Sequence, residues 1–238
     1  MKLEELKIDI YADGADIPGM LEMYKKDYVK GFTTNPTLMK KAGIADYKEF
    51  AKVVTENIPD LPISFEIFSD DYEEMKKEAL ILSKYGENVY VKIPIMNSRG
   101  ESSASLIREL SKEGVNLNVT AVFTSEQVES IIDLFCDNTK NIISVFAGRI
   151  ADAGVDPENL MRKINTICHQ REDIYTLWAS CREVFNIIQA DRCGTDIITV
   201  TNDILAKVNN LGKDLEKFSL ETVQMFARDS KALGFKIM

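Results

Sequence analysis

Short apolar runs alternate with longer amphipathic ones from one end of the chain to the other. Runs of strand length, rich in Val, Ile, Phe, Tyr and Thr, predict strands over 7–13 (KIDIYAD), 30–35, 62–68, 88–94, 116–123, 142–148, 174–180 and 196–201. Between them, apolar residues recur every three or four positions and predict helices over 46–57, 70–85, 102–113, 125–136, 156–168 and 183–191. Several of these open with Asp, Ser or Thr where an N-cap is needed. Strand and helix in strict alternation is the pattern of βαβ units around a parallel sheet. Eight such units in 238 residues predict a (β/α)8 TIM barrel rather than an open doubly wound sheet. One more helical stretch, 219–234, follows the last unit and is expected to pack against the barrel. No linker, repeat or low-complexity tract divides the chain, so a single domain over 1–238 is expected.

The strand at 88–94 holds a misfit. In NVYVKIPIM, Lys92 stands among Val89, Val91, Ile93 and Ile95. Desolvating an ammonium without compensation costs several kcal/mol, so a lysine in such a strand needs either an acidic partner or the loss of its proton. The second route creates a nucleophile able to form a Schiff base with a carbonyl. In a barrel the reactive groups gather at the carboxyl ends of the strands. Polar residues fall there in nearly every predicted strand: Asp13, Asn35, Glu66, Lys92, then Asn118 with Thr120, Ser144 followed by Arg149, and Ser180 followed by Arg182. Alternation along each strand allows two carboxylates, an amine and a hydroxyl to point into the barrel at one end.

Each of these residues also has a plainer explanation. Lys92 fits a structural ion pair with Asp13 or Glu66, Asn35 before Pro36 fits an Asx-turn, and Thr120 is a good strand former. Ser180 fits a cap on a helix containing Arg182, although a capping Ser, free amides and a guanidinium together also suit a phosphate. Arg149 near Asp152 fits a loop ion pair, and Trp178 fits a packing role.

Composition narrows the chemistry. A net charge of −9 argues against a nucleic-acid footprint, so any phosphate must be met by a local basic pocket. No run of eighteen apolar residues or signal-type amino terminus is present, and a cytoplasmic protein without membrane contact is expected. Cys136, Cys168, Cys181 and Cys193 lack CxxC or zinc-ligand spacing, which favours free thiols. With His169 as the only histidine, in the polar stretch CHQRED, a Ser-His or Cys-His hydrolase and a histidine metal site are both disfavoured.

The segments GFTTNPTLMKKAG, VYVKIP, NVTAVFTSEQ, VFAGRIAD and WASCRE, in this order and spacing, resemble the transaldolase family, and more closely its compact branch, which includes fructose-6-phosphate aldolase. The resemblance runs from Asp13 to about Ile204. It implies a Schiff-base barrel enzyme acting on sugar phosphates with no metal and no organic cofactor, and it leaves a homo-oligomer open. By motif, Lys92 corresponds to the Schiff-base lysine, Asp13 to the acid/base carboxylate, and Glu66 with Thr120 to the pair that orients a catalytic water. Asn35, Asn118 and Ser144 would hold the hydroxyls of a three-carbon ketone unit, and Arg149, Ser180 and Arg182 a phosphate. The resemblance also implies transfer of a dihydroxyacetone unit over its release. The aldolases carry Gln and Tyr at the positions of Glu66 and Phe146, whereas transaldolases carry Glu and Phe. Departures stand at Asp13-Gly14-Ala15-Asp16, Met96, Asn97 and Cys181, and they bear on the substrate more than on the lysine. Two alternatives stand beside transfer: an aldolase releasing free dihydroxyacetone, and a non-catalytic barrel that binds sugar phosphates through an ion-paired lysine.

Overall fold

A computed structural model of the chain describes residues 2–235 and 237. Eight parallel strands close into one barrel in sequence order: β1 (Asp9–Asp13), β2 (Val29–Thr33), β3 (Ile63–Glu66), β4 (Val89–Pro94), β5 (Leu117–Val122), β6 (Asn141–Val145), β7 (Ile174–Trp178) and β8 (Ile197–Thr201). The fold is the (β/α)8 TIM barrel that the alternation predicts. Helices surround it: α1 (Ile17–Tyr24), α2 (Pro36–Ala42), α3 (Tyr47–Asn57), α4 (Tyr72–Leu82), α5 (Ala104–Lys112), α6 (Ser125–Glu129), α7 (Ala147–Asp152), α8 (Pro157–Cys168), α9 (Phe185–Arg192), α10 (Asn202–Leu205) and α11 (Leu215–Leu233).

Buried side chains form two clusters. The larger lies between the strands and the helices and takes the outward strand positions, among them Ile10, Phe32, Phe65, Val91, Ile93, Val119 and Ile143. The smaller is the barrel filling, built on Tyr11, Tyr90, Ile142, Leu177, Ala179 and Ile197, with Tyr175 and Phe146 packed against it. Tyr11 enters the barrel because β2 offers Gly31 beside it, where an added Cβ would meet the phenol ring at 2.6 Å. With one strand position after another turned inward, the polar residues of the upper layer, toward the carboxyl ends, reach a common opening.

Four short helices escape the hydrophobic pattern. α1 and α2 begin with proline in the first turn, α7 takes residues that sequence pattern assigns to the end of a strand, and α10 is only one turn. The predicted strand over 142–148 accordingly stops at Val145, and the predicted helix over 125–136 is α6 followed by a 3-10 turn at Ile132–Leu134.

The C-terminal helix is present, but its expected packing is not. No residue of α11 is buried and only Thr222 is even half-covered, while Leu215, Leu220, Val223, Phe226 and Leu233 are well exposed. Leu215, Phe218, Val223, Met225, Phe226 and Leu233 fall on one side of the helix, and that side is left uncovered by the barrel. Among the described residues, no helix is long and apolar enough to cross a membrane.

Candidate active site

Parallel pairing sets the key residues side by side. Glu66 on β3 pairs in register with Lys92 on β4, Lys92 with Asn118 on β5, and Asp13 on β1 with Thr33 on β2. All point into the upper barrel. The Lys92 ammonium forms an ion pair with Glu66 Oε2 at 2.9 Å and donates to the Thr34 carbonyl, also at 2.9 Å, and the residue is only 7% exposed. The acidic partner that a strand lysine needs is therefore Glu66. Tyr47, at the start of α3, donates its phenol to the Glu66 carbonyl at 2.8 Å and stacks edge-on against Phe65 and Phe68, which fixes the end of β3 behind the ion pair.

Asp13 lies half-buried beside this pair. Burial pushes its carboxyl above the ordinary range, and Glu66 adds to that, while the Lys92 charge and donated hydrogen bonds from Thr33 and Asn35 pull the other way. Thr33 Oγ1 is the close donor at 2.8 Å, and Asn35 Nδ2 lies at 3.5 Å. Asn35 serves two purposes. It lies just past β2, and its Oδ1 accepts from Leu38 N as the N-cap of α2, which turns the amide group toward Asp13.

These residues open on a cavity of about 460 Å3 at the carboxyl ends of the strands, lined among others by Asp13, Asn35, Glu66, Lys92, Thr120, Ser144, Phe146, Arg149 and Ser180. Thr120 Oγ1 is buried and has no hydrogen-bond partner within the protein, so its capacity is left for something in the cavity. It sits at an irregularity in the β5–β6 ladder, where Ala121 takes a left-handed conformation with φ 58°. Asn118 is fully buried and held between Ser64 and Ser144, accepting from Ser144 Oγ at 2.6 Å and donating to Ser64 Oγ at 2.9 Å. It braces the layer beneath the amine rather than lining the cavity.

The opposite end of the cavity carries Arg149, Ser180 and the Phe146 ring. The Arg149 guanidinium lies 5.3 Å from the centre of that ring and forms no ion pair with Asp152. Asp152 is taken instead by Arg182, which lies outside the cavity lining. Ser180 caps no helix: α9 starts at Phe185, and the amides of Arg182 and Glu183 donate to Asn186 Oδ1. Ser180 is left-handed, with φ 62°, and its carbonyl lies against Gly148, where a Cβ would sit 1.6 Å from that oxygen. Trp178 is fully buried, as a packing residue would be, and the four cysteines are free. Burial raises the Cys181 thiol to about 12, which makes it a poor nucleophile. His169 sits away from the cavity, 2.9 Å from Asp196. No metal-binding cluster of His, Cys, Asp or Glu occurs among the described residues.

Sequence pattern passes over Thr33, Thr34, Tyr47 and Thr199. The first three act through backbone carbonyls or a neighbouring side chain, and Thr199 follows the apolar β8 pattern as a strand former. A threonine at the inward position next to a carboxylate-bearing strand is the one signal, and it points to Thr33 and Thr199.

Known proteins resemble the chain along most of its length. The family model for transaldolase/fructose-6-phosphate aldolase matches residues 10–237. A probable transaldolase of Thermoanaerobacter sp. (strain X514) is 32% identical over 228 residues, covering 95% of this chain and 99% of its own length. Another, from Caldicellulosiruptor saccharolyticus, is 36% identical over 203 residues, covering 84% of this chain and 88% of its own. A third, from Methanococcus maripaludis (strain C7), is 34% identical over 214 residues and covers 87% and 94%. The solved structure of a monomeric dihydrodipicolinate synthase variant superposes with a TM-score of 0.61 over 97% of this chain and 81% of that one, at 13% identity, a likeness of fold alone. On the family match and these relatives, the chain belongs to the transaldolase/fructose-6-phosphate aldolase family.

Proposed function

We propose that the protein is a transaldolase that moves a dihydroxyacetone unit from a ketose phosphate to an aldose phosphate through a Schiff base on Lys92. The observation that carries this reading is the grouping of a buried amine, Glu66 at 2.9 Å and the half-buried carboxylate of Asp13 in one cavity. Glu66 is placed to take the proton that Lys92 must shed before its nitrogen attacks the ketone carbon. Loss of water from the carbinolamine gives a protonated imine. Asp13 then accepts the C4 hydroxyl proton as the C3–C4 bond breaks, and the bonding pair flows into the imine to leave an enamine. Burial raises Asp13 toward the working pH, which strengthens it as that base. The aldose phosphate departs, a second aldehyde is attacked by the enamine, and Asp13 returns its proton to the new hydroxyl. Water aligned by Glu66 and the unpartnered Thr120 hydroxyl hydrolyses the imine. In this reading Ser144 and Asn35 meet the hydroxyls of the ketone unit, Asn118 holds Ser144 in place, and Arg149 with Ser180 meets phosphate. Arg182 would first have to leave Asp152.

Transfer is favoured over release by Phe146. Release of dihydroxyacetone needs the enamine carbon protonated, and a phenyl ring on the cavity wall has no hydroxyl to position a water for that step. The Lys92–Glu66 ion pair is also what a non-catalytic sugar-phosphate-binding barrel would contain, and turnover separates the two. The test is product analysis with fructose 6-phosphate, with and without erythrose 4-phosphate. Sedoheptulose 7-phosphate formed only when the acceptor is present supports transfer. Free dihydroxyacetone formed as fast without the acceptor replaces the transferase with an aldolase, and no conversion in either arm leaves the binding barrel.

A further inference from the structure

Two threonines from the strands on either side of β1 meet beneath Asp13. Thr33 on β2 is in register with Asp13, and Thr199 on β8 is in register with Tyr11, one inward position lower. Thr33 Oγ1 lies 2.8 Å from Asp13 Oδ1 and 2.5 Å from Thr199 Oγ1. Both threonines are buried and both line the cavity. A strand-forming role explains two β-branched side chains but not hydroxyls turned face to face, because Val would fill the same space.

The chemistry of the groups gives the chain a direction. An ionised carboxylate has no proton to donate and each hydroxyl has one, so Thr33 donates to Asp13 and Thr199 donates to Thr33. We propose that Thr199 is a positioning residue for Asp13: its donated hydrogen bond holds the Thr33 proton on the carboxylate and keeps that carboxylate aimed into the cavity. This rests on Asp13 being the base of the proposed function.

The surroundings leave this task to the threonines. The charged groups facing Asp13 are Lys92 from β4 and Glu66 from β3, and they are paired with each other, while β2 and β8 present only neutral donors. Asn35 is 3.5 Å away with its oxygen committed to α2, so Thr33 supplies the one short bond. Burial works against the ionised form of Asp13, and the donated bond opposes it. A donor whose own oxygen accepts a hydrogen bond is the stronger donor, by roughly 10–30% per bond.

The variants Thr199→Val and Thr199→Ser test this in the full-length protein. The first keeps the volume and removes the hydroxyl, and the second keeps the hydroxyl. The Asp13 carboxyl is followed by carbon NMR of aspartate-labelled protein across pH, its signal assigned by its loss in Asp13→Asn. Thr199→Val should raise the Asp13 midpoint by on the order of half a pH unit, and Thr199→Ser should return it toward the wild type. The acid limb of the kcat profile for ketose-phosphate turnover should move the same way with KM nearly unchanged. An Asp13 midpoint and a kcat profile both unmoved in Thr199→Val would overturn the proposal. So would a shift that Thr199→Ser does not reverse, since packing and not the hydroxyl would then be its cause. A reversible midpoint shift in a protein that turns over no ketose would keep the hydroxyl-to-carboxylate coupling and overturn the proposed function instead.

Discussion

Replacing Lys92 with Met separates what the lysine does for the reaction from what it does for the fold. Sequence alone suggests that removing a buried amine relieves a cost, so that the variant should be at least as stable as the parent. The observed pairing reverses that expectation. Lys92→Met deletes an ion pair and a hydrogen bond, each of 2.9 Å, and leaves Glu66, whose side chain keeps only 20% exposure, without its counter-charge next to Asp13. Breaking a buried pair from one side costs about 3–5 kcal/mol. The partial exposure of Glu66 lowers this to roughly 2–4 kcal/mol at pH 8, or a fall in Tm of about 5–15 °C for a chain of this size. The loss depends on pH in a defined direction. Without the ammonium Asp13 loses the charge that pulls its carboxyl down and is raised further above its unfolded value, so the folded state binds the extra proton and its stability falls as pH rises from the unfolded carboxylate range upward. Thermal unfolding at pH 5.5 and pH 8 should therefore show a deficit against the wild type that is larger at pH 8. Adding Glu66→Gln should recover part of it. Equal deficits at both pH values, or no recovery in the double variant, would refute the ion-pair energetics argued here.

Four further outcomes follow from the site. Arg149→Ala should weaken phosphorylated substrates by about ten- to a hundredfold in kcat/KM while sparing unphosphorylated ones, as expected for one lost charge-assisted hydrogen bond. Arg182→Ala should cost less, because Asp152 already occupies that guanidinium, and steady-state kinetics of the two variants compares them directly. Phe146→Tyr should add slow release of free dihydroxyacetone to a transferase that otherwise shows little, as measured by product analysis without an acceptor. Gly148→Ala should force Ser180 away from the cavity edge, with an overpacking cost of about 1–3 kcal/mol in urea unfolding and a raised KM for phosphorylated substrates.

The barrel was legible because its signal is repetitive: eight apolar strand runs, most of them followed by a helical period, admit few other arrangements. Lys92, Asp13 and Glu66 were legible because charge is conspicuous in an apolar strand. Two kinds of feature were not. One is structure made by backbone geometry, such as α2 starting at the Asn35 cap, the left-handed Ala121 and Ser180, and the room Gly148 leaves for a carbonyl. These depend on where a turn goes, which residue type constrains only weakly. The other is a partnership set by register: Thr33 with Thr199, Tyr47 with the Glu66 carbonyl, and Arg182 with Asp152 join residues 166, 19 and 30 positions apart. The unpacked α11 belongs to neither kind. Its apolar side suggested a seat on the barrel, but an apolar stripe says that a helix has a face to cover and not which surface covers it.

The central claim is a covalent bond between Lys92 and substrate, and borohydride reduction tests it most directly. The protein is incubated with a ketose phosphate, reduced, digested and mapped by mass spectrometry. A secondary amine should appear on the peptide carrying Lys92, with the mass of the reduced three-carbon or ketose adduct, and should be absent without sugar and in Lys92→Met. Saturating ketose with no adduct on Lys92, or an adduct of equal yield on another lysine, would contradict the Schiff-base account.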